Sequence, residues 1–112
     1  MLYHRGTTGT YHQWATAVGD DSYELSSFLP YFRKSVHYTP PDLTLRAANA
    51  TIPNPDPIAF SLSGGPLQVS HAKYAMPISS WAKNAFLESG LSELDDMNSG
   101  DLHGFAVRSA VR

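Results

Sequence analysis

The sequence contains no cysteine, which excludes disulfide bonds and thiolate metal sites. Its longest basic run is Arg33-Lys34 and its net charge is −2, so nucleic acid is not an expected partner, because phosphate binding needs clustered positive charge. No apolar stretch approaches the ~20 residues that cross a bilayer, and a membrane partner is not expected. Met1–Gly6 has no apolar signal core, and the sequence predicts no cellular location.

The 112 residues suffice for one small domain or for part of a larger one. Six of the eight prolines fall within residues 39–66, where only Leu43–Ala50 could hold a helical turn or two. Irregular stretches longer than about 12–15 residues are uncommon in compact domains. We therefore expect this proline-rich segment to lie across a surface that the chain does not contain.

A first short helix is predicted from Thr8 or Thr10, either of which could serve as its N-cap, to about Val18. Its apolar residues fall on one helical face, and Gly19 suits the left-handed position that ends a helix. The apolar face consists of Tyr11, Trp14, Ala15 and Val18.

A second helix is predicted to follow, capped by the acidic run at residues 20–22 and closed by Arg33 and Lys34 at its negative end. Pro30 lies inside it and predicts a kink or a restart, because proline lacks the amide donor. The helix is expected to stop before Thr39, which precedes two prolines. Its apolar residues are Leu25, Phe28, Leu29 and Phe32.

The C-terminal part alternates between strand and helix signals. Leu67–His71 alternates apolar and polar residues and predicts a strand. A helix is then predicted with Pro77 in its first turn and Gly90 at its end, followed by a polar loop over residues 91–100. Phe105–Val111 alternates loosely and predicts another strand. The predicted helix has a clear apolar stripe, formed by Ile78, Trp81, Ala82, Ala85 and Phe86.

The polar residues give no strong signal of a metal site. No two histidines have metal-ligand spacing, so surface or partly buried positions are expected for all five: His4, His12, His37, His71 and His103. The acidic residues Asp95, Asp96 and Asp101 lack the spacing of a calcium loop and are expected in a solvated loop. Asn49 is a glycosylation acceptor if the chain is secreted.

Two patterns are compatible with other chemistry, and both have simpler explanations. Ser80-x-x-Lys83 matches the S-x-x-K pattern of serine acylases, but an exposed serine and lysine beside a core tryptophan are the stronger interpretation. Ser63–Pro66 is too short to hold a phosphate and predicts a turn. Five aromatic residues are expected in a core rather than in a ligand pocket: Tyr11, Trp14, Phe28, Phe32 and Trp81.

Taken in order, several segments resemble the glucose–methanol–choline (GMC) flavin oxidoreductases, and in particular the fungal aryl-alcohol-type branch. In that family a flavin-binding loop leads into a run such as M-[LI]-Y-x-R-G, then D-x-W, a glycine and L-L-P-Y-F-x-K-S-E. The matching segments are Met1–Gly6, Tyr11-x-x-Trp14, Gly19, Leu29–Ser35, Gly65–Val69, Trp81–Gly90 and Asn98–Gly100. His12 and Gln13 stand where acidic residues are common in the family.

The resemblance implies an α+β fragment of a two-domain FAD-dependent enzyme, with three short helices, a few strands and a loop-rich middle. Residues 1–38 would belong to the flavin domain, 39–66 would connect, and 67–112 would begin the substrate-binding domain. Met1 and Leu2 would contact the flavin. The family's dinucleotide loop, its second flavin loop and its catalytic histidine pair have no counterpart here, so no catalytic residue and no metal ligand is assigned.

The implied activity is oxidation of an alcohol, whose proton goes to a catalytic histidine and whose hydride goes to FAD. Because the chemical residues are missing, the chain by itself is expected to be inactive. Family members are often secreted in fungi. Two other hypotheses stay open: a non-enzymatic interaction module that presents its aromatic faces to a partner, and a serine hydrolase that uses Ser80 and Lys83.

Overall fold

The computed structural model describes residues 2–48, 50, 52, 55–106 and 109–111. Its helices are α1 (Thr8–Val18), α2 (Leu25–Ser35) and α3 (Ile78–Glu88), and its strands are β1 (Val36–Thr39), β2 (Leu67–His71) and β3 (Ser109–Val111). Short 3₁₀ turns occupy Asp21–Tyr23 and Leu43–Leu45. The predicted α+β class and its three short helices are confirmed. No helix within the described ranges is long and apolar enough to cross a bilayer.

Helix α1 ends at Val18 as predicted, but its N-cap residue lies before both of the predicted N-cap candidates. The side chain of Thr7, rather than of Thr8 or Thr10, caps it by accepting a hydrogen bond from the Thr10 amide. Gly19 has φ 68°, which allows the amides of Gly19 and Asp20 to reach the carbonyl of Ala15 and close the helix.

Helix α2 runs without interruption through Pro30, so the predicted restart is wrong. Proline removes only the hydrogen bond to the Ser26 carbonyl, and Ser26 is exposed to water that can replace it. The acidic run also has a different role from the one predicted: Asp20 caps the 3₁₀ turn, and Glu24 is an extended residue that separates this turn from α2. Arg33 and Lys34 lie in the last turn, as predicted.

The three strands form one sheet in the order β1-β2-β3. Strand β1, which the sequence analysis missed, pairs in parallel with the predicted β2, and β3 pairs antiparallel with β2. Strand β3 confirms the end of the predicted C-terminal strand. Phe105 forms only an isolated bridge to Glu93, and residues 107 and 108 lie outside the described part. A parallel pair needs a crossover of a dozen or more residues, and the proline-rich segment supplies it.

The core lies on one face of this sheet. Val36, Tyr38 and Val69 are buried against Ala59 and Phe60, which come from the proline-rich segment. The expectation that this segment lies across a surface absent from the chain is therefore wrong for Ala59 and Phe60, which cover the chain's own strands. Of the helical turns predicted within Leu43–Ala50, the described residues contain the 3₁₀ turn Leu43–Leu45.

Candidate functional site

The N-terminal run contains the residues predicted to contact a flavin. Met1 lies outside the described residues. Leu2 is described, and its side chain is 60% exposed at the start of the run. The next residues turn inward, because Tyr3 packs on the core and Arg5 is buried. The structure thus presents Leu2 on a segment that is anchored a few residues later.

The anchor is the guanidinium group of Arg5, which is 6% exposed. Its Nη1 donates to the carbonyl of Ala59 at 2.6 Å, and its Nε donates to the Tyr3 hydroxyl at 3.0 Å. The guanidinium carbon lies 4.9 Å from the ring centre of Phe32 and 5.2 Å from those of Tyr3 and Phe60. Cation–π contacts of this length are attractive when water is excluded. Arg5 therefore joins the N-terminal run to α2 and to the crossover, a role that the sequence analysis did not predict.

Helices α1 and α2 meet through aromatic rings, as the helical spacing predicted. Tyr11 lies 5.5 Å from Phe28 and 6.3 Å from Phe32, centre to centre. Trp14 touches Tyr11 and Tyr23 but is 55% exposed. These rings pack against one another between the two helices, but Tyr11, Phe28 and Phe32 are only partly buried. The expectation of a core position is wrong for Trp14, because the outer edge of this aromatic cluster is open.

A buried tyrosine–histidine pair lies inside the sheet. The Tyr38 hydroxyl and His71 Nδ1 are 2.9 Å apart, and both residues are buried. Burial, with a smaller contribution from the negative charge of Asp96, raises the pKa of Tyr38 to about 12, so the phenol keeps its proton at neutral pH. The expectation of a surface or partly buried position is wrong for His71, because the hydrogen bond to Tyr38 allows the ring to be fully enclosed.

The other histidines lie apart from one another. His12 is 2.7 Å from Glu24, His103 is 3.5 Å from Asp101, and both histidines are exposed. His37 Nδ1 donates to the Gly64 carbonyl at 3.1 Å. No cluster of three or more His, Asp or Glu side chains suited to a metal occurs among residues 2–48, 50, 52, 55–106 and 109–111.

The loop at residues 91–100 is less solvated than predicted. Asp96 is buried and accepts hydrogen bonds from the amide and the side chain of Asn98, at 2.8 and 3.1 Å. Asp101 stays exposed, and a hydrogen bond from the His103 amide lowers its pKa. The carboxylate of Asp96 therefore stabilises the loop, and the hydrogen bonds that it accepts from Asn98 compensate for its burial.

The serine hydrolase pattern gains no support from the geometry. The Lys83 ammonium is 2.7 Å from one carboxylate oxygen of Glu93 and 2.8 Å from the other. Lys83 is thus engaged in an ion pair across the α3 surface. The glycosylation acceptor Asn49 lies outside the described residues.

Helix α3 has the apolar stripe that the sequence predicted, but no residue of α3 is buried. Trp81 is 72% exposed, so the expectation that it lies in a core is wrong, and Ile78 is also exposed. Beside the helix lies an apolar cleft of about 330 Å³, whose walls include Met76, Ala82 and Phe105. An apolar stripe of this kind is normally covered, so this face lacks its covering surface.

The whole chain has too much surface for a free-standing domain. Its accessible area is 7245 Å², whereas a compact monomer of 12.3 kDa is expected to expose about 6,100 Å². Its radius of gyration is 15.5 Å, against about 13 Å for a compact domain of this length. The excess of about 1,100 Å² exceeds the ~800 Å² that each partner buries in a standard protein–protein interface.

The sequence matches curated fungal enzymes along nearly its whole length. It is 47% identical over 104 residues to versicolorin B synthase from Aspergillus parasiticus and 45% identical over 104 residues to patulin synthase from Aspergillus clavatus. It is 43% identical over 111 residues to glucose methanol choline oxidoreductase atC from Aspergillus terreus. These matches cover 93–99% of this chain but only 16–17% of each relative.

The fold has a counterpart among solved structures. An FAD-dependent oxidoreductase from Chaetomium thermophilum superposes on 97% of this chain with a TM-score of 0.77 and 36% sequence identity, and the match covers 18% of that protein. A comparison with models of protein families gave no match. In both comparisons that match, the chain is similar to one segment of a much longer protein.

Proposed function

Because the chain belongs to the glucose–methanol–choline family of FAD-dependent oxidoreductases, of which it represents one segment, we propose that it supports oxidation of an alcohol CH–OH group by FAD. In this proposal the segment contributes scaffold and contact surface, and no catalytic side chain. Residues 1–38 belong to the flavin domain, 39–66 connect, and 67–112 begin the substrate-binding domain.

The observation that carries the proposal is the pairing of full-length similarity with uncovered apolar faces. The similarity extends over at least 93% of the chain, so it is not confined to one motif. The exposed stripe on α3 and the open edge at Trp14 are the surfaces that a segment would turn toward the rest of an enzyme. The excess area of about 1,100 Å² is large enough for such neighbours to cover.

The described residues fit one limited part of an FAD site. The exposed apolar side chain of Leu2 suits a contact with a flat aromatic ring system. The sequence has no G-x-G-x-x-G loop to hold the diphosphate. FAD would supply the hydride-accepting chemistry. Within this chain, Met1 and Leu2 would contact the flavin, and the other residues would hold them in place.

A chimera tests the proposal directly. The 112 residues replace the matching segment of the Chaetomium thermophilum oxidoreductase, and flavin content and alcohol oxidation are measured. We expect a flavin-loaded, active chimera, whereas the isolated chain should purify colourless and inactive. A misfolded chimera without flavin, or an isolated chain that binds FAD stoichiometrically, would contradict the proposal.

Two matched variants on α3 sharpen the experiment. Trp81→Asp places a charge within the apolar stripe, and Asn84→Asp places the same charge on an exposed position of the same helix outside that stripe. We expect W81D to reduce the yield of folded chimera and N84D to leave it unchanged, while both are tolerated in the isolated chain. Equal behaviour of the two chimeras would show that the α3 stripe does not face the enzyme.

The exposed α3 face also favours a second candidate, a binding module that docks on a partner protein. Size-exclusion chromatography separates the two. An autonomous module should elute as a clean monomer with a cooperative thermal transition, whereas a segment that lacks its neighbours should self-associate through its uncovered apolar faces.

A further inference from the structure

Arg5 is a buried cation in an unusual environment. Its hydrogen-bond acceptors are the uncharged Ala59 carbonyl and Tyr3 hydroxyl. Its guanidinium carbon also lies over the rings of Tyr3, Phe32 and Phe60, and Nη2 is buried without a hydrogen-bond acceptor among the described residues. The guanidinium group therefore places a positive charge in this environment.

Within the part of the chain that the structure describes, no carboxylate forms an ion pair with Arg5. Burying a charge without a counter-charge is costly, and proteins normally pair such groups. A neutral carbonyl and three rings reduce that cost but leave the net charge of +1 uncancelled. Inside a protein the field of such a charge is weakly screened and reaches neighbouring groups.

The location of this charge suggests its use. Arg5 lies three positions after Leu2 in the sequence, and an extended chain spans at most about 11 Å over that distance. The Tyr3 side chain, which accepts the hydrogen bond from Nε, is itself adjacent to Leu2. Movement of the Arg5 guanidinium would therefore be transmitted to the residues that the proposed function places against the flavin.

We propose that Arg5 is a positioning residue for the flavin, a proposal that rests on the function proposed above. It fixes Leu2 by joining Tyr3 to the Ala59 carbonyl and the Phe32 ring. Its uncancelled charge also favours the more negative, reduced state of a nearby cofactor. The two effects are separable, because a lysine at position 5 keeps the charge but not the planar set of donors.

The experiment uses the chimera, in which Arg5→Met, Arg5→Lys and the control Arg33→Met are introduced singly. Arg33 is exposed at the end of α2, so R33M removes the same charge without changing Arg5 or the residues that contact it. Three quantities are measured: the thermal stability of the apo form, the Kd for FAD, and the midpoint potential of the bound flavin. A purely structural role for Arg5 would leave the midpoint potential unchanged.

We expect R5M to weaken FAD binding about tenfold, equivalent to about 1.4 kcal/mol. We also expect R5M to shift the midpoint potential to more negative values. R5K should weaken FAD binding but keep the potential near that of the unmodified chimera, and R33M should change neither. An R5M chimera with unchanged affinity and potential would overturn the proposal.

Two further outcomes decide the remaining cases. If R5M unfolds the apo form, R5K decides: weaker FAD binding by a folded R5K chimera supports the positioning role, and unchanged binding overturns it. If the unmodified chimera itself binds no FAD, the proposed function fails and this inference fails with it. The inference alone fails if the unmodified chimera binds FAD and the R5M chimera has the same FAD affinity and midpoint potential.

Discussion

Substitution of Gly64 by alanine is expected to be among the most damaging small changes in this chain. A Cβ at this position would lie 2.1 Å from the Val36 carbonyl oxygen and 2.3 Å from that of Arg33. Both atoms belong to the backbone at the junction of α2 and β1, so no side-chain rotation relieves the overlap. The segment that connects β1 to β2 would have to move away from this junction by roughly 1 Å, because such overlaps force backbone shifts.

The expected loss of stability can be estimated from the overlap and from the hydrogen bonds that the movement would strain. Overpacking costs about 1–3 kcal/mol. Displacement of the loop also strains two hydrogen bonds, from the Gly65 amide to the Lys34 carbonyl and from His37 Nδ1 to the Gly64 carbonyl, each 3.1 Å long. These contribute about 0.5–1.5 kcal/mol each. We therefore expect a loss of about 2–6 kcal/mol in the free energy of unfolding.

The assay is urea unfolding of the chain followed by circular dichroism, with Gly65→Ala as the control. A Cβ at Gly65 meets no atom within 4 Å, so this neighbouring variant changes the same residue type without the overlap. We expect the G65A midpoint to stay close to that of the parent and the G64A midpoint to fall sharply. If the two variants unfold at the same urea concentration, the close approach of Gly64 to the backbone is not real.

Three further outcomes are expected. Gly9 lies in the exposed first turns of α1 with space for a Cβ, so Gly9→Ala should raise the free energy of unfolding by about 0.5–1 kcal/mol in thermal melts; a loss would contradict the helix assignment. The raised pKa of Tyr38 means that its contribution to stability is complete below pH ~10, the unfolded value, and is lost as the pH rises to about 12. Alkaline unfolding should therefore weaken in Tyr38→Phe, and an unchanged pH profile would refute this. Trp81→Ser should change the free energy of unfolding by less than about 0.5 kcal/mol but reduce light scattering by the isolated chain, because the indole packs on little of this chain.

The helices could be predicted because their signals are local. Apolar spacing and Gly19 locate α1, and Gly90 ends α3, where the amides of Gly90 and Leu91 bond to the carbonyls of Leu87 and Phe86. Strand β1 was missed because four residues directly after a helix give too little alternation to recognise. Its partner in the sheet is 31 residues further along the sequence, as the pairing of Val36 with Leu67 shows.

Burial was the harder property to predict. The stripes on α1 and α3 have the same spacing whether the covering surface belongs to this chain or to another, so periodicity could not show that Trp81 is exposed. Conversely, the burial of His71 and Asp96 depends on hydrogen bonds to Tyr38, Asn98 and the loop, which only the fold brings together. The role of Arg5 was invisible for the same reason: its partners are distant in sequence.

Strand β3 has one further consequence. Its described residues, 109–111, pair with Val69–His71 on the side away from β1. Removing residues 109–111 would convert β2 from the middle of the sheet to its edge, with unsatisfied amides and carbonyls facing solvent. A second polypeptide could then add its own strand there, so deletion of these three residues should favour ordered, strand-to-strand oligomers.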